Sequence, residues 1–320
     1  LRLTSDTAQA VGKAFAQAIK HQKISLLLLL VTIASKRVSR YKGAKYTPPG
    51  THPQTMLIAS LIAAVLYLLI AGLRLRQYQQ QQPFNRNQLL PLAVFALALH
   101  GYAAFAALQS PAGINLGFFK ISSLIFWVIN IAFVISLVRR PLENLLLILF
   151  PLSAISVLIS VLAPGNASPF DTISGGLALH IGSSVLAYAV LTIATCQAAV
   201  VAVQDRQLRH RHAGGIVRAL PPMQLMETML FELLWVGLAL LSLSIGSGML
   251  FLDDMFAQHL AHKTVLTMAA WCLFALLLWG HHYLGWRSQT AVRLTLAGFA
   301  VLMLGYFGSK LVLEVILQKV

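Results

Sequence analysis

Charged residues are scarce in this chain of 320 residues. They make up 10% of it and only nine are acidic, whereas 58% of the residues are hydrophobic. A soluble globular domain carries about 25% charged residues, so the composition excludes an ordinary soluble domain. The mean hydropathy of +0.76 and recurrent apolar stretches of about 20 residues indicate instead an all-α, polytopic membrane protein.

Cysteine is also rare, and the two cysteines, Cys196 and Cys272, lie in separate apolar stretches with no CxxC spacing. This excludes a disulfide framework, a zinc ribbon and a thioredoxin-like redox pair. The chain likewise lacks the GxGxxG, GxxxxGK[ST], HExxH and GxSxG patterns, so no nucleotide-binding, zinc-protease or serine-hydrolase motif is present. We therefore expect no enzymatic activity.

The net charge of +15 would suggest nucleic acid as the partner of a soluble chain. Here the basic residues lie in short loops between apolar stretches. They therefore indicate the lipid bilayer as the partner, and they act as signals of membrane topology. The apolar stretches predict a bundle of about eight transmembrane helices, near residues 57–73, 89–108, 121–138, 142–162, 176–203, 224–251, 263–280 and 291–316.

The basic residues after residue 55 test this count. Arginines occupy every second loop, and the intervening loops and the C-terminal end hold only lysines. The arginines are Arg74, Arg76, Arg86, Arg139, Arg140, Arg206, Arg209, Arg211, Arg218, Arg287 and Arg293, and the lysines are Lys120, Lys263, Lys310 and Lys319. The positive-inside rule produces this alternation. It predicts a multi-pass membrane protein whose segment 56–320 has both ends outside.

The segment 1–55 does not fit this pattern. It holds nine basic residues and one acid, its apolar stretch Ile24 to Ala34 is too short to span a bilayer, and the first methionine of the chain is Met56. One interpretation is an over-extended translation that is not part of the natural protein. The others are a basic amphipathic helix on the membrane surface and a cleaved signal.

Three histidines lie near the predicted outer surface on three different helices. His180 enters span five, His262 opens span seven, and His100 lies in span two about eight residues below the same surface. A haem with two axial histidines needs ligands on opposite faces of the porphyrin, which favours histidines from different helices. His180 and His262 meet this requirement, and Lys263 or Lys120 could meet the propionates.

The alternatives to haem ligation stay open at this point. His180 could cap a helix end, and His262 could lie in the wet interface. His100 is an ionisable group inside a span and therefore a functional candidate, although a neutral histidine bonded to a neighbouring helix is the simpler explanation. Tyr188 is expected to fill the core.

The remaining polar residues are assigned structural roles. His210 and His212 lie in a cationic loop that disfavours a metal, and His281 and His282 end span seven on the inside. Glu227 and Glu232 enter span six from the inside, and we expect them to pair with loop arginines. A proton-coupled transporter could use such a carboxylate, but no second acid lies at a matching depth.

Spans five to eight resemble the cytochrome c assembly, or haem-handling, membrane proteins of the CcsA and CcmC type. The residues that carry the resemblance are Leu179 to Ser184, Ala187 to Ala189, His262 to Thr264, Ala270-Trp271, Gly285-Trp286-Arg287 and Gly305 to Gly308. The resemblance covers residues 176–316. It implies haem as cofactor, with His180 and His262 as axial ligands of the iron and His100 as a supporting or alternative ligand.

One departure from that family concerns the loop that its members use as a haem platform. The family has a tryptophan-rich segment between its two outer histidines, whereas Leu252 to Ala261 contains no tryptophan. In lacking this segment the chain resembles the HemX- and YpjD-type branch. The resemblance to that branch implies a multi-pass protein of the bacterial inner membrane. The resemblance implies a haem-binding protein that acts with cytochrome c assembly components. The alternative is a non-haem scaffold or regulator of a tetrapyrrole-pathway enzyme or another membrane complex.

Overall fold

The computed structural model describes residues 53–110, 113–114, 117–163, 175–209, 220–251 and 261–308. The chain divides into two compact units, residues 1–57 and residues 58–320. Only the last residues of the first unit, 53–57, are described, and they begin the first helix. The predictions for His210 and His212 therefore lie outside the described residues. The predictions for segment 1–55 also lie outside them, except at residues 53–55.

Eight long helices account for nearly all of the described residues, which confirms the predicted all-α membrane bundle. They are α1 (Pro53–Gln79), α2 (Arg86–Leu108), α3 (Phe118–Arg139), α4 (Leu146–Leu162), α5 (Gly175–Arg209), α6 (Met223–Phe251), α7 (Ala261–Leu284) and α8 (Ser288–Met303). A 3-10 turn, Glu143–Leu145, precedes α4, and a π-helical turn, Leu304–Gly308, extends α8. With these extensions, all eight are long and apolar enough to cross a membrane.

Helices form here because a segment that crosses hydrocarbon must satisfy every backbone hydrogen bond internally. The other regular element among the described residues is a short antiparallel pair after α2, in which β1 (Gln109–Ser110) bonds to β2 (Gly113–Ile114). It lies in a predicted outer loop, where water can satisfy the free edges of the two strands.

Within residues 58–320 the helices form two groups of four. In the second group, α5 packs against α6 and α8, and α7 packs against α6 and α8. This order is a ring in which α5 and α7 lie diagonally opposite each other. In the first group α2, α3 and α4 pack against one another, and α1 joins them through the hydrogen bonds between Tyr67 and His100 and from Arg74 to Asn144. This group meets the second mainly where α3 packs against α5.

Several arginines lie at the same end of the bundle, where they contact the ends of neighbouring helices. Arg86 at the start of α2 donates to the carbonyl of Val138 at the end of α3 (3.3 Å), and Arg74 near the end of α1 donates to Asn144 before α4 (3.4 Å). Arg140, after α3, lies 2.7 Å from Glu232 of α6. We call this the arginine end. His180 and His262 are near the first residues of α5 and α7, and therefore near the opposite end.

Candidate functional site

His180 is held by a hydrogen bond to the neighbouring helix. It is the sixth residue of α5 and is half-buried, and its Nδ1 lies 2.9 Å from the backbone oxygen of Ser244 on α6. A carbonyl oxygen can only accept, so Nδ1 carries the proton and donates it. In the neutral form of the ring the lone pair is then on Nε2, which is the arrangement found in metal-binding histidines whose other nitrogen donates to a backbone carbonyl.

Four serines surround this hydrogen bond, and we call them the serine cluster: Ser183, Ser184, Ser244 and Ser247. The hydroxyl of Ser184 donates to the carbonyl of His180 (2.6 Å) and lies 2.5 Å from the hydroxyl of Ser244. Since Ser184 has a single proton and gives it to that carbonyl, the hydroxyl of Ser244 donates to Ser184. His180 and Ser244 are thus joined twice, through the imidazole and through Ser184.

Small residues allow α5 and α6 to approach closely around this site. A side chain added at Gly176 would meet the ring of Phe251, and one added at Gly237 would meet Leu191, both well inside van der Waals distance. Close approach through glycine and serine is the common packing mode of membrane helices. The serines add hydrogen bonds to this close packing.

His262 is the second residue of α7, and its side chain is exposed. Within the part of the chain that the structure describes, its ring makes no hydrogen bond. Because α5 and α7 are diagonal in the ring of four helices, His180 and His262 lie on opposite sides of that ring, at the end away from the arginine end.

Two further contacts join the helices of the ring below these histidines. Tyr188, two turns along α5 from His180, is buried and donates its hydroxyl to the carbonyl of Leu302 on α8 (3.0 Å). Gly305, after α8, lies against Leu266 of α7. The prediction that Tyr188 fills the core is confirmed. The lysines proposed for propionates, Lys120 and Lys263, lie in the first turns of α3 and α7 and are half-buried.

His100 lies in the other group of helices and is completely buried. Its Nδ1 is 3.1 Å from the hydroxyl of Tyr67 on α1, and its Nε2 is 3.1 Å from the hydroxyl of Ser123 on α3. Both ring nitrogens are therefore engaged with the protein. None of the contacts among the described residues joins His100 to His180, so the two histidines belong to separate polar networks.

At the arginine end, His281 and His282 close α7. The ring of His281 stacks on Phe231 at 3.5 Å, and its Nδ1 donates to the carbonyl of Trp286 (2.8 Å), while His282 is exposed. The indole of Trp286 lies over Gly280, where any side chain would collide with it. These contacts fix the tight connection from α7 to α8, in which Gly285 adopts a positive φ of 68°.

The two glutamates of α6 differ in their partners. Glu232 pairs with Arg140, as the sequence predicted. Glu227 instead accepts a hydrogen bond from the backbone N–H of Ser288 at the start of α8 (2.9 Å), and no arginine among the described residues contacts it. A carboxylate at this position stabilises a helix N-terminus. The spacing of charges along the sequence does not reveal that Glu227 contacts the start of α8.

The donor set fits haem better than a bare metal ion. Among the described residues no three histidine, cysteine, aspartate or glutamate side chains are close enough together to hold an ion. A haem needs at most two protein ligands, because the porphyrin supplies the other four. Nε2 of His180 and the ring of His262, which bonds to none of the described residues, are two nitrogen donors on different helices.

Comparison with known proteins agrees with the resemblance found in the sequence. The family model described as cytochrome C assembly protein matches residues 89–317. The inner membrane protein YpjD of Escherichia coli (strain K12) is 29% identical over 263 residues, which are 82% of this chain and 100% of that protein. A protein of Azospirillum brasilense, described as an uncharacterized 28.8 kDa protein in a nifR3-like 5'region, is 32% identical over 157 residues, 47% of this chain and 58% of that protein. No solved structure matches the chain.

Proposed function

This chain belongs to the cytochrome c assembly protein family, and from that premise we propose that it holds haem near the outer face of the inner membrane. A multi-pass inner membrane location is supported by the eight candidate spans and by the similarity to the inner membrane protein YpjD. The observation that carries the proposal is the hydrogen bond from Nδ1 of His180 to the carbonyl of Ser244, which leaves Nε2 as a ligand.

In this proposal His180 and His262 are the axial ligands, and the bound haem is the cargo that the protein presents to other cytochrome c assembly components. The protein's own contribution is orientation. Ser244 and Ser184 fix the ring of His180, while the exposed ring of His262 can turn toward an incoming porphyrin or away from it. No residue is assigned a catalytic role, so the function is binding and transfer.

Lys120 and Lys263 are proposed to meet the propionates, because each lies in the first turn of a helix at the outer end. An ammonium beside a propionate forms a charge-assisted hydrogen bond. His100 has both nitrogens bonded in the described structure, so it could serve as an alternative ligand only after one of those bonds breaks. We therefore assign ligation to the His180 and His262 pair first.

The test is the optical spectrum of the detergent-purified protein after supplementation with haem. A low-spin, six-coordinate spectrum is expected for the wild type, and either His180→Ala or His262→Ala should convert it to a high-spin spectrum or abolish it. His282→Ala is the matched control, because His282 is equally exposed but lies at the arginine end.

Three outcomes would contradict the proposal. Retention of the wild-type spectrum in both His180→Ala and His262→Ala would exclude this pair. Loss of the spectrum in His100→Ala with His262→Ala unchanged would assign ligation to His100 and His180. A wild-type preparation that stays colourless would favour the non-haem scaffold or regulator instead.

A further inference from the structure

We propose that Ser247 sets the ligand strength of His180 by competing with its imidazole for the backbone oxygen of Ser244. This inference rests on the proposed function, because it concerns the nitrogen that would bind the iron. Nothing in the sequence separates Ser247 from the other small residues of α6. Its position emerges only from the hydrogen bonds between α5 and α6.

Two side chains converge on one acceptor. Nδ1 of His180 donates to the Ser244 oxygen at 2.9 Å, and the hydroxyl of Ser247 donates to the same oxygen at 3.0 Å. Ser244 and Ser247 are both buried, with 4% and 3% of their surface exposed. Water therefore does not supply either hydroxyl or carbonyl with a substitute partner.

The acceptor is already close to saturation. A carbonyl oxygen has two lone pairs, and inside an α-helix one of them normally accepts from the backbone N–H four residues later. The donations from His180 and Ser247 are made in addition to that bond. Each hydrogen bond to this oxygen weakens the other hydrogen bonds that it accepts. The hydroxyl of Ser247 therefore limits how strongly the carbonyl attracts the Nδ1 proton of His180.

That pull determines the electron density at the other ring nitrogen. When the acceptor draws the Nδ1 proton more strongly, the imidazole gains anionic character and Nε2 becomes a better donor to a metal. Removal of the Ser247 hydroxyl should therefore strengthen the bond from His180 and raise the ligand strength of Nε2. A stronger imidazole donor stabilises ferric over ferrous iron and lowers the reduction potential.

Ser184 holds α5 and α6 together when Ser247 is changed. Ser184 donates to the carbonyl of His180 and accepts from the hydroxyl of Ser244, so it ties the two backbones together independently of Ser247. Ser247 is thus a positioning residue that acts through Ser244, and its effect is electronic. A purely structural role in α6 would leave the Nδ1 proton unchanged.

The first measurement needs no haem. Protein labelled with 15N-histidine is compared by NMR as wild type, Ser247→Ala, Ser247→Cys and Ser247→Thr, and the His180 signal is identified by its absence in His180→Gln. Ser247→Ala should move the Nδ1 proton downfield, Ser247→Cys should move it less, since a thiol is a weak donor, and Ser247→Thr should restore the wild-type position. An unchanged signal in Ser247→Ala and Ser247→Cys would overturn the proposal whether or not haem binds.

The second measurement is the reduction potential of the haem-loaded variants. We expect a lower potential in Ser247→Ala, a smaller shift in Ser247→Cys and the wild-type value in Ser247→Thr. Thr228→Ala is the matched control, because Thr228 lies on the same helix but donates to Gln224 and not to Ser244. Equal potentials in all variants would overturn the inference about Ser247, whereas a wild type that binds no haem would overturn the proposed function and leave the NMR result to decide on Ser247.

Discussion

The hydroxyl of Tyr67 lies 3.1 Å from Nδ1 of His100, and neither side chain has any exposed surface. The two residues come from α1 and α2, and Ser123 of α3 completes the set at the other ring nitrogen. A buried polar group that is left without its partner costs about 1–3 kcal/mol. This network therefore specifies how the first three helices fit together.

Replacing Tyr67 by phenylalanine should lower the free energy of unfolding by about 1–3 kcal/mol, because Nδ1 of His100 then has no partner. Ser123→Ala should have a similar effect through Nε2. The measurement is thermal unfolding of the detergent-purified protein. Tyr283→Phe provides the control, since Tyr283 is 68% exposed, and equal stability of Tyr67→Phe and Tyr283→Phe would show that the network contributes nothing.

Gly101 of α2 should not accept a side chain. A Cβ at this position would lie 2.7 Å from Nε1 of Trp127, the atom that donates to the carbonyl of Leu97. Gly101→Ala should destabilise the protein by about 1–3 kcal/mol, because the indole must move and its hydrogen bond breaks. Gly72→Ala, which meets no atom within 4 Å, should be neutral or stabilising, since alanine favours helix. The same unfolding assay tests both, and the prediction fails if Gly101→Ala is as stable as Gly72→Ala.

The ion pair between Arg140 and Glu232 should contribute little despite its length of 2.7 Å. The two side chains are 47% and 45% exposed, and exposed pairs are worth about 0.2–1 kcal/mol. Arg140→Glu should reduce the melting temperature slightly, and the double variant Arg140→Glu with Glu232→Arg should recover the loss. A large loss that the double variant does not recover would mean that Arg140 acts through other contacts.

The arginine end should face the cytoplasm, because positively charged loops are retained on that side. Single cysteines placed at Gln109 and Arg287, in a background with Cys196→Ala and Cys272→Ala, test this with a membrane-impermeant maleimide on spheroplasts. Both positions are exposed, one after α2 and one between α7 and α8. The cysteine at 109 should be labelled, and the cysteine at 287 should react only after permeabilisation. Labelling of 287 alone would reverse the orientation.

Sequence alone predicted the eight helices because length and hydropathy determine what can cross a bilayer. Most predicted boundaries lie within a few residues of those in the structure, while the predicted end of span eight at residue 316 lies outside the described residues. Among the other boundaries, the largest differences are where charged ends extend a helix past its apolar part. α1 continues through Arg74 and Arg76 to Gln79, and α5 continues to Arg209. Hydropathy cannot place such ends, since the added residues are polar but still helical.

The candidate site was only partly predictable. His180 and His262 could be chosen because they lie at one depth on different helices, and His100 because it is ionisable within a span. The partner of His180 depends on the rotation and register of α5 against α6, which determine that the carbonyl of Ser244 is opposite the ring. Backbone acceptors leave no trace in sequence, so neither Ser244 nor the bond from Ser288 to Glu227 could be anticipated.

The 64 residues that separate His180 from Ser244 set the time at which this contact can form during synthesis. As the nascent chain enters the membrane, α5 emerges well before α6, and until α6 is beside it Nδ1 of His180 lacks the backbone oxygen that accepts its proton. The orientation of the His180 ring is therefore acquired when α6 packs beside α5, and not when α5 itself forms.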